Sequence, residues 1–221
     1  MPTIKCAFAA LLVLATSAVP ASASTLTLVT NRALLGDADV IHWADLGGDL
    51  TDLGATFTAT SEDGMGAAVS GATRFALFSG ATFNADFVPT DTVLSLFDLR
   101  TGDPTAGVIR MRFNRAVMGG GAQIQSNLQG NFTAFLSALD AAGNVIGSAV
   151  SINGTNGLSG NGSAAFLGIR SDAQDIFGLQ FSLADGFAIN DVSVTSVPEP
   201  TTLTMLALGT ALLRIRRSTP Q

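Results

Sequence analysis

Between residues 24 and 196 the chain repeats one local pattern: short stretches of alternating polar and apolar residues, separated by clusters of Gly, Asn, Asp and Ser. Residues 25–30, 110–113 and 178–183 alternate in this way. Successive side chains of an extended chain point to opposite faces, so a period of two gathers the apolar residues on one face and predicts half-buried strands. Residues 132–139 and 144–152 flank Asp140-Ala141-Ala142-Gly143, a turn-forming stretch, and together predict a hairpin. Further strands are expected over 40–43, 54–60, 92–97, 117 with 122–125, 165–169 and 187–194, and only 31–35 reads as briefly helical. Many short strands without a long helical period predict an all-β chain, an antiparallel β-sandwich of the jelly-roll kind, and argue against a parallel α/β fold.

Both ends of the chain depart from this pattern. Lys5 precedes an uncharged run, 6–19, and Ala21-Ser22-Ala23 supplies the small residues of a cleavage site. Residues 1–23 are therefore expected to be a secretory signal peptide, handed to the Sec translocon and removed. At the other end Val197-Pro198-Glu199-Pro200 leads into an uncharged apolar run, 201–213, and then Arg214, Arg216 and Arg217. The two prolines fix φ and keep their preceding residues out of the helical region, so Glu199 is held in an extended segment that an enzyme can read. Leu203, Met205, Leu206, Leu208, Leu212 and Leu213 recur on every face of a helix, unlike the single stripe of a surface helix. The arginines mark the end that stays in the cytoplasm. At ~1.5 Å per residue the run spans about 20 Å, against a hydrocarbon core of about 30 Å. Ile215 and snorkelling arginines narrow that gap.

This order of parts resembles the PEP-CTERM sorting signal of Gram-negative bacteria, including a glycine, Gly209, within the apolar run. The resemblance implies that exosortase, a membrane-embedded cysteine transpeptidase, recognises Val197, Pro198, Glu199 and Pro200 and cuts there. The protein would then be exported through the inner membrane, held transiently by a short C-terminal transmembrane helix, and passed to the cell surface or extracellular matrix. On this reading 197–217 is the sorting signal and 24–196 the cargo. A looser resemblance to jelly-roll cargo domains of PEP-CTERM proteins rests on Asn31-Arg32-Ala33-Leu34-Leu35-Gly36 with Val40-Ile41-His42-Trp43, on 166–172, and on 187–192.

The cargo carries seven arginines, no lysine and sixteen acids, for a net charge of −9. Such a surface disfavours nucleic acid and anionic membranes. Cys6 is the sole cysteine and lies within the signal peptide, so the mature chain has no disulfide, thiol nucleophile or cysteine-ligated zinc.

Catalytic patterns are scarce. His42 is the only histidine and is expected to be structural beside Trp43; Glu62 and Asp63 are adjacent and would face opposite sides of a strand. Calcium is the one cofactor the pattern raises, through Asp37, Asp39, Asp45, Asp49 and Asp52 and, near the last strand, Asp185, Asn190 and Asp191, since hard oxygen ligands suit it. Gly119-Gly120-Gly121 lacks the lysine and helix of a phosphate loop and predicts a bend or bulge, and 154–163 a flexible surface loop. The function expected is a non-enzymatic surface or matrix protein. The alternative is an exopolysaccharide-binding module using Trp43, Asp45 and Asn190, with a hydrolase third.

Overall fold

A computed structural model of the protein describes residues 24–195 except Asp37 and Leu99. The expected signal peptide and the sorting signal with its apolar helix lie outside the described residues. Among the described residues no helix is long and apolar enough to cross a membrane.

The described chain is all-β. Its strands are β1 (Leu26–Val29), β2 (Asp39–Ile41), β3 (Asp52–Thr60), β4 (Gly66–Ser79), β5 (Thr92–Asp98), β6 (Asp103–Pro104), β7 (Gly107–Val117), β8 (Gly119–Ser126), β9 (Gly130–Leu139), β10 (Val145–Asn156), β11 (Ala165–Ser171), β12 (Ile176–Leu183), β13 (Phe187–Ile189) and β14 (Val192–Thr195). Two 3-10 turns, Arg32–Leu35 and Trp43–Leu46, interrupt the N-terminal part. Asn31 caps the first, its Oδ1 accepting from Ala33 N at 2.9 Å.

All strand pairings are antiparallel, and the main path runs β1-β11-β8-β13-β5-β4-β7-β12-β9-β10. Its two ends approach each other: a Cβ on Gly147 of β10 would stand 3.2 Å from Leu26 Cδ1 of β1. The main path is thus nearly closed, while β2, β3 and β6 branch from it with one partner strand each. The expected β9–β10 hairpin is present, its turn fixed by Asp140 N donating to Asn144 O at 2.9 Å and Asn144 N to Asp140 Oδ1 at 2.8 Å.

The main core gathers Trp43, Phe75, Leu77, Leu94, Met111, Ile124, Leu179, Phe181 and Phe187 with their neighbours. The second half of strand β4, residues 75–78, is buried on both faces. Phe75 and Leu77 enter this core, whereas Ala76 and Phe78 join Phe83, Phe87 and Val93 in a second cluster beneath the 80–91 connection. Gly80 N donates to Asp91 O at 2.7 Å, so the ends of that connection are tied together and its aromatics fill it from within.

The chain from Phe187 to Thr195, expected as one strand, runs along a single flank of β8 but is divided at Asn190 and Asp191. Between the pairs Ile189↔Ile124 and Ser193↔Gly121 four residue steps face three, so one extra residue is inserted as in a β-bulge. Beyond this point the sheet forks, β13 continuing to β5 and β14 to β2. Asn190 bridges the gap. Its N donates to Gln123 O at 3.1 Å, its Oδ1 accepts from Gln123 N at 2.9 Å, and its Nδ2 donates to Gln123 Oε1 at 2.6 Å.

The bend expected at Gly119-Gly120-Gly121 is not where the irregularity lies. These glycines pair continuously with β11, and a Cβ on Gly121 would fall 2.5 Å from Gly168 Cα and 2.6 Å from Leu167 O. They are glycine because neighbouring strands crowd them, and the extra residue is on the opposite strand. The expected loop at 154–163 is also corrected in part: residues 154–156 complete β10, and Gly157 and Ser159 are pinned by Asp86.

Candidate functional site

At the fork, polar side chains from three parts of the chain converge. The Arg32 guanidinium donates to Asn190 Oδ1 at 3.2 Å and to Asp191 O at 2.8 Å. Trp43 is fully buried, and its indole N–H donates to Asn190 O at 2.9 Å. Asp191 Oδ1 accepts from Trp43 N at 3.1 Å, and its Oδ2 lies 2.7 Å from His42 Nδ1. The other ring nitrogen, Nε2, lies 3.0 Å from Glu62 Oε1 on the β3–β4 turn. A carboxylate faces each nitrogen, and hydrogen bonds first to Glu62 and then to Asp191 raise the ring's pKa above the usual histidine value, which favours the doubly protonated form. Through these two contacts the ring clips the β3–β4 turn to the fork. Nearby, burial raises the Asp91 carboxyl, with the charge of Asp191 acting in the same direction.

The acids expected as calcium ligands are distributed among separate structural tasks. Buried Asp39 accepts from Ser61 Oγ and, at 2.9 Å, from Asp63 N. Asp49 Oδ1 accepts from Ser79 N and Thr82 Oγ1, both at 2.7 Å. Asp52 forms a two-pronged pair with Arg74, whose hydrogen bonding holds its carboxyl below the usual range. Asp45 is exposed, and Asp37 lies outside the described residues. Asp185 lines a cleft over β9 and β10, away from the fork where Asn190 and Asp191 already face protein donors. Among the described residues no three His, Cys, Asp or Glu side chains are grouped to hold a metal ion.

The glycan platform expected from Trp43, Asp45 and Asn190 does not form. Trp43 has no exposed ring face, and Asn190 is committed to bridging β8. A sugar cannot stack on an aromatic that lies inside the core.

Two arrangements were not singled out by the sequence. Asp86, almost completely buried, accepts from Gly157 N at 2.7 Å, Ser159 N at 2.6 Å, Ser159 Oγ at 2.8 Å and Gln125 Nε2 at 3.2 Å. Burial alone would raise this carboxyl, but these four donors outweigh it and hold it below the usual range. A lone acid among Phe83, Ala85 and Phe87 was the available signal. The second is a cleft of about 820 Å³ on the outer face of β9 and β10, lined by Asn131, Thr133, Phe135, Asn153, Thr155 and Asp185 among others. Its signal was the recurrence of polar residues at alternate positions on the two hairpin strands.

The described residues define a class: an all-β body of antiparallel strands whose last strand, β14, ends at Thr195. Directly beyond it, a family model described as the PEP-CTERM protein-sorting motif matches residues 196–218, and the chain carries that motif. A search of curated proteins finds no match. Among solved structures, the enzymatically active domain of bacteriophage CBA120 tailspike protein 4 aligns at 11% identity and a TM-score of 0.24, over 79% of this chain and 18% of that one. A superposition of that quality defines neither fold nor activity here.

Proposed function

We propose that the chain is a secreted, non-enzymatic protein of the cell surface or extracellular matrix, sorted by exosortase through its C-terminal signal. The observation that carries this is the motif match at 196–218, which begins one residue after β14. In the sequence of events proposed, residues 1–23 direct the chain to the Sec translocon and the β body passes to the outer side. The 201–213 run then holds it in the bilayer, with Arg214, Arg216 and Arg217 on the cytoplasmic side. Exosortase reads Val197-Pro198-Glu199-Pro200, cuts, and releases the body.

The non-enzymatic part of the reading is supported by the single histidine, whose ring nitrogens both face carboxylates, and by the use of Asp39, Asp49, Asp52 and Asp86 as structural acceptors. A jelly-roll-like sandwich for the cargo is supported by the fork at Asn190, which sends one branch of the sheet to β5 and the other to β2.

Mass spectrometry of the C-terminus in hosts with and without an exosortase tests the sorting. With the enzyme, the exported product is expected to end at or near the Pro-Glu-Pro segment; without it, the product keeps Arg216 and Arg217. An arginine-bearing terminus on the exported product in the presence of the enzyme refutes the proposal.

A further inference from the structure

Along β9 the side chains alternate strictly: Phe132, Ala134 and Leu136 are buried, while Asn131, Thr133 and Phe135 are exposed on the outer face. The register of β10 sets Thr155 opposite Asn131 and Asn153 opposite Thr133. Two cross-strand hydrogen bonds tie these pairs: Thr155 Oγ1 donates to Asn131 Oδ1 and Thr133 Oγ1 to Asn153 Oδ1, both at 2.8 Å. Each asparagine carbonyl is thereby fixed against the neighbouring strand, so the row of amides and hydroxyls is held rigid before any ligand arrives. At the end of this row Phe135 keeps 45% of its surface exposed on a strand paired on both sides, and among the described residues it is the one aromatic in the set of exposed large hydrophobic side chains.

We propose that this groove binds the chain of an uncharged polysaccharide. A sugar ring presents a C–H face that stacks on an aromatic and hydroxyls that exchange hydrogen bonds with amides and hydroxyls, and the groove offers both within one cleft. From residue 131 to 135 the row extends about 13 Å at ~3.3 Å per residue, longer than one sugar ring. Its volume of about 820 Å³ lies within the range of small-molecule sites. Among the described residues the only charged one lining it is Asp185, so it repels uronate or sulfate groups, as does the net charge of −9 on the body. The polar surroundings of Phe135 are unlike the apolar centre of a protein–protein interface, which argues against a second protein as occupant. This inference is independent of the sorting motif, and either can fail without the other.

Affinity electrophoresis of the purified, exported protein tests it, using gels that contain a β-glucan, a mannan or dextran, with alginate as the anionic control. The protein is expected to be retarded by at least one neutral gel and not by alginate. Phe135→Ala should weaken that retardation about tenfold or more, the loss of one stacked ring, while Phe135→Trp preserves it. Asn153→Ala is expected to weaken it as well. Thermal melts of each variant, compared with the parent, separate lost binding from lost folding. Retardation in no neutral gel, equal retardation of Phe135→Ala and parent, or preference for alginate would overturn the proposal. So would a change in solution mass on Phe135→Ala, which would assign the face to self-association.

Discussion

Replacing Asp86 by alanine is expected to unpin the 157–163 segment and to destabilise the whole body. The carboxylate accepts four hydrogen bonds, two from backbone N–H groups and two from side chains. The consequences for the donors differ. Gly157 and Ser159 are exposed, so their N–H groups find water once the acceptor is gone. Gln125 is fully buried, and its amide keeps only the bond to Thr155 O at 3.1 Å. One buried donor left unpaired costs about 1–3 kcal/mol, and losing the charged acceptor of the others adds about 1–2 kcal/mol, offset in part because no carboxylate need then be buried. A net loss of about 3 kcal/mol corresponds to a fall in Tm of roughly 6–12 °C for a domain of this size. The pH dependence gives a sharper check. The folded-state pKa of Asp86 is depressed, so its stabilisation is complete above the unfolded value of about 3.9 and is lost as pH falls through the folded value. Thermal melts should therefore show a constant gap between parent and Asp86→Ala from pH 7 to pH 5, closing below about pH 4. A variant that melts within 2 °C of the parent at pH 7, or a gap that persists into acid, would refute the reasoning.

His42 predicts the opposite sign. Its pKa is raised by Glu62 and Asp191, so the clip is strongest below the unfolded value of about 6.5 and weakens as pH rises through the folded value. His42→Gln should thus melt below the parent at pH 6, with the difference narrowing by pH 9; a difference independent of pH would sink the two-carboxylate account. Gly121→Ala places a methyl group 2.5 Å from the Gly168 backbone, where nothing can rotate away, and should cost about 3 kcal/mol or more, seen as lost soluble yield. Gly48→Ala meets no atom within 4 Å and serves as the neutral control; equal yields would show that β8 and β11 can separate without penalty.

Much of the strand content was legible because half-buried strands carry their burial in a period of two. The 132–139 strand and its turn emerged close to their observed limits for that reason, while the second hairpin strand runs four residues past its expected end, to Asn156. Strand β4 was missed as an element. Its first half, Gly66-Ala67-Ala68-Val69-Ser70-Gly71-Ala72, buries small residues at alternate positions, and these have too little hydrophobic contrast to reveal a period. Its second half is apolar at consecutive positions because both faces are covered. The groove was hidden by register. Counting back from the 140–143 turn pairs Asn153 with Asn131, but the irregularity between Ile146 and Val150, with Gly147 at φ 58°, moves Asn153 opposite Thr133. The shift is two residues, so faces are preserved while partners change. Trp43 misled in a different way: raised as part of a glycan platform, its ring is enclosed at the fork.

Strand β14 is flanked on one side by β2 and on the other by β8, and Thr195 at its end donates through Oγ1 to Leu35 O at 2.8 Å while its carbonyl accepts from Met118 N at 2.6 Å. Among the described residues the ladder thus runs to Thr195, immediately before the matched segment. Trimming at the Pro-Glu-Pro segment, as proposed above, would sever none of these inter-strand bonds. On the proposed route, scission would change where the molecule resides without removing any residue of these strands.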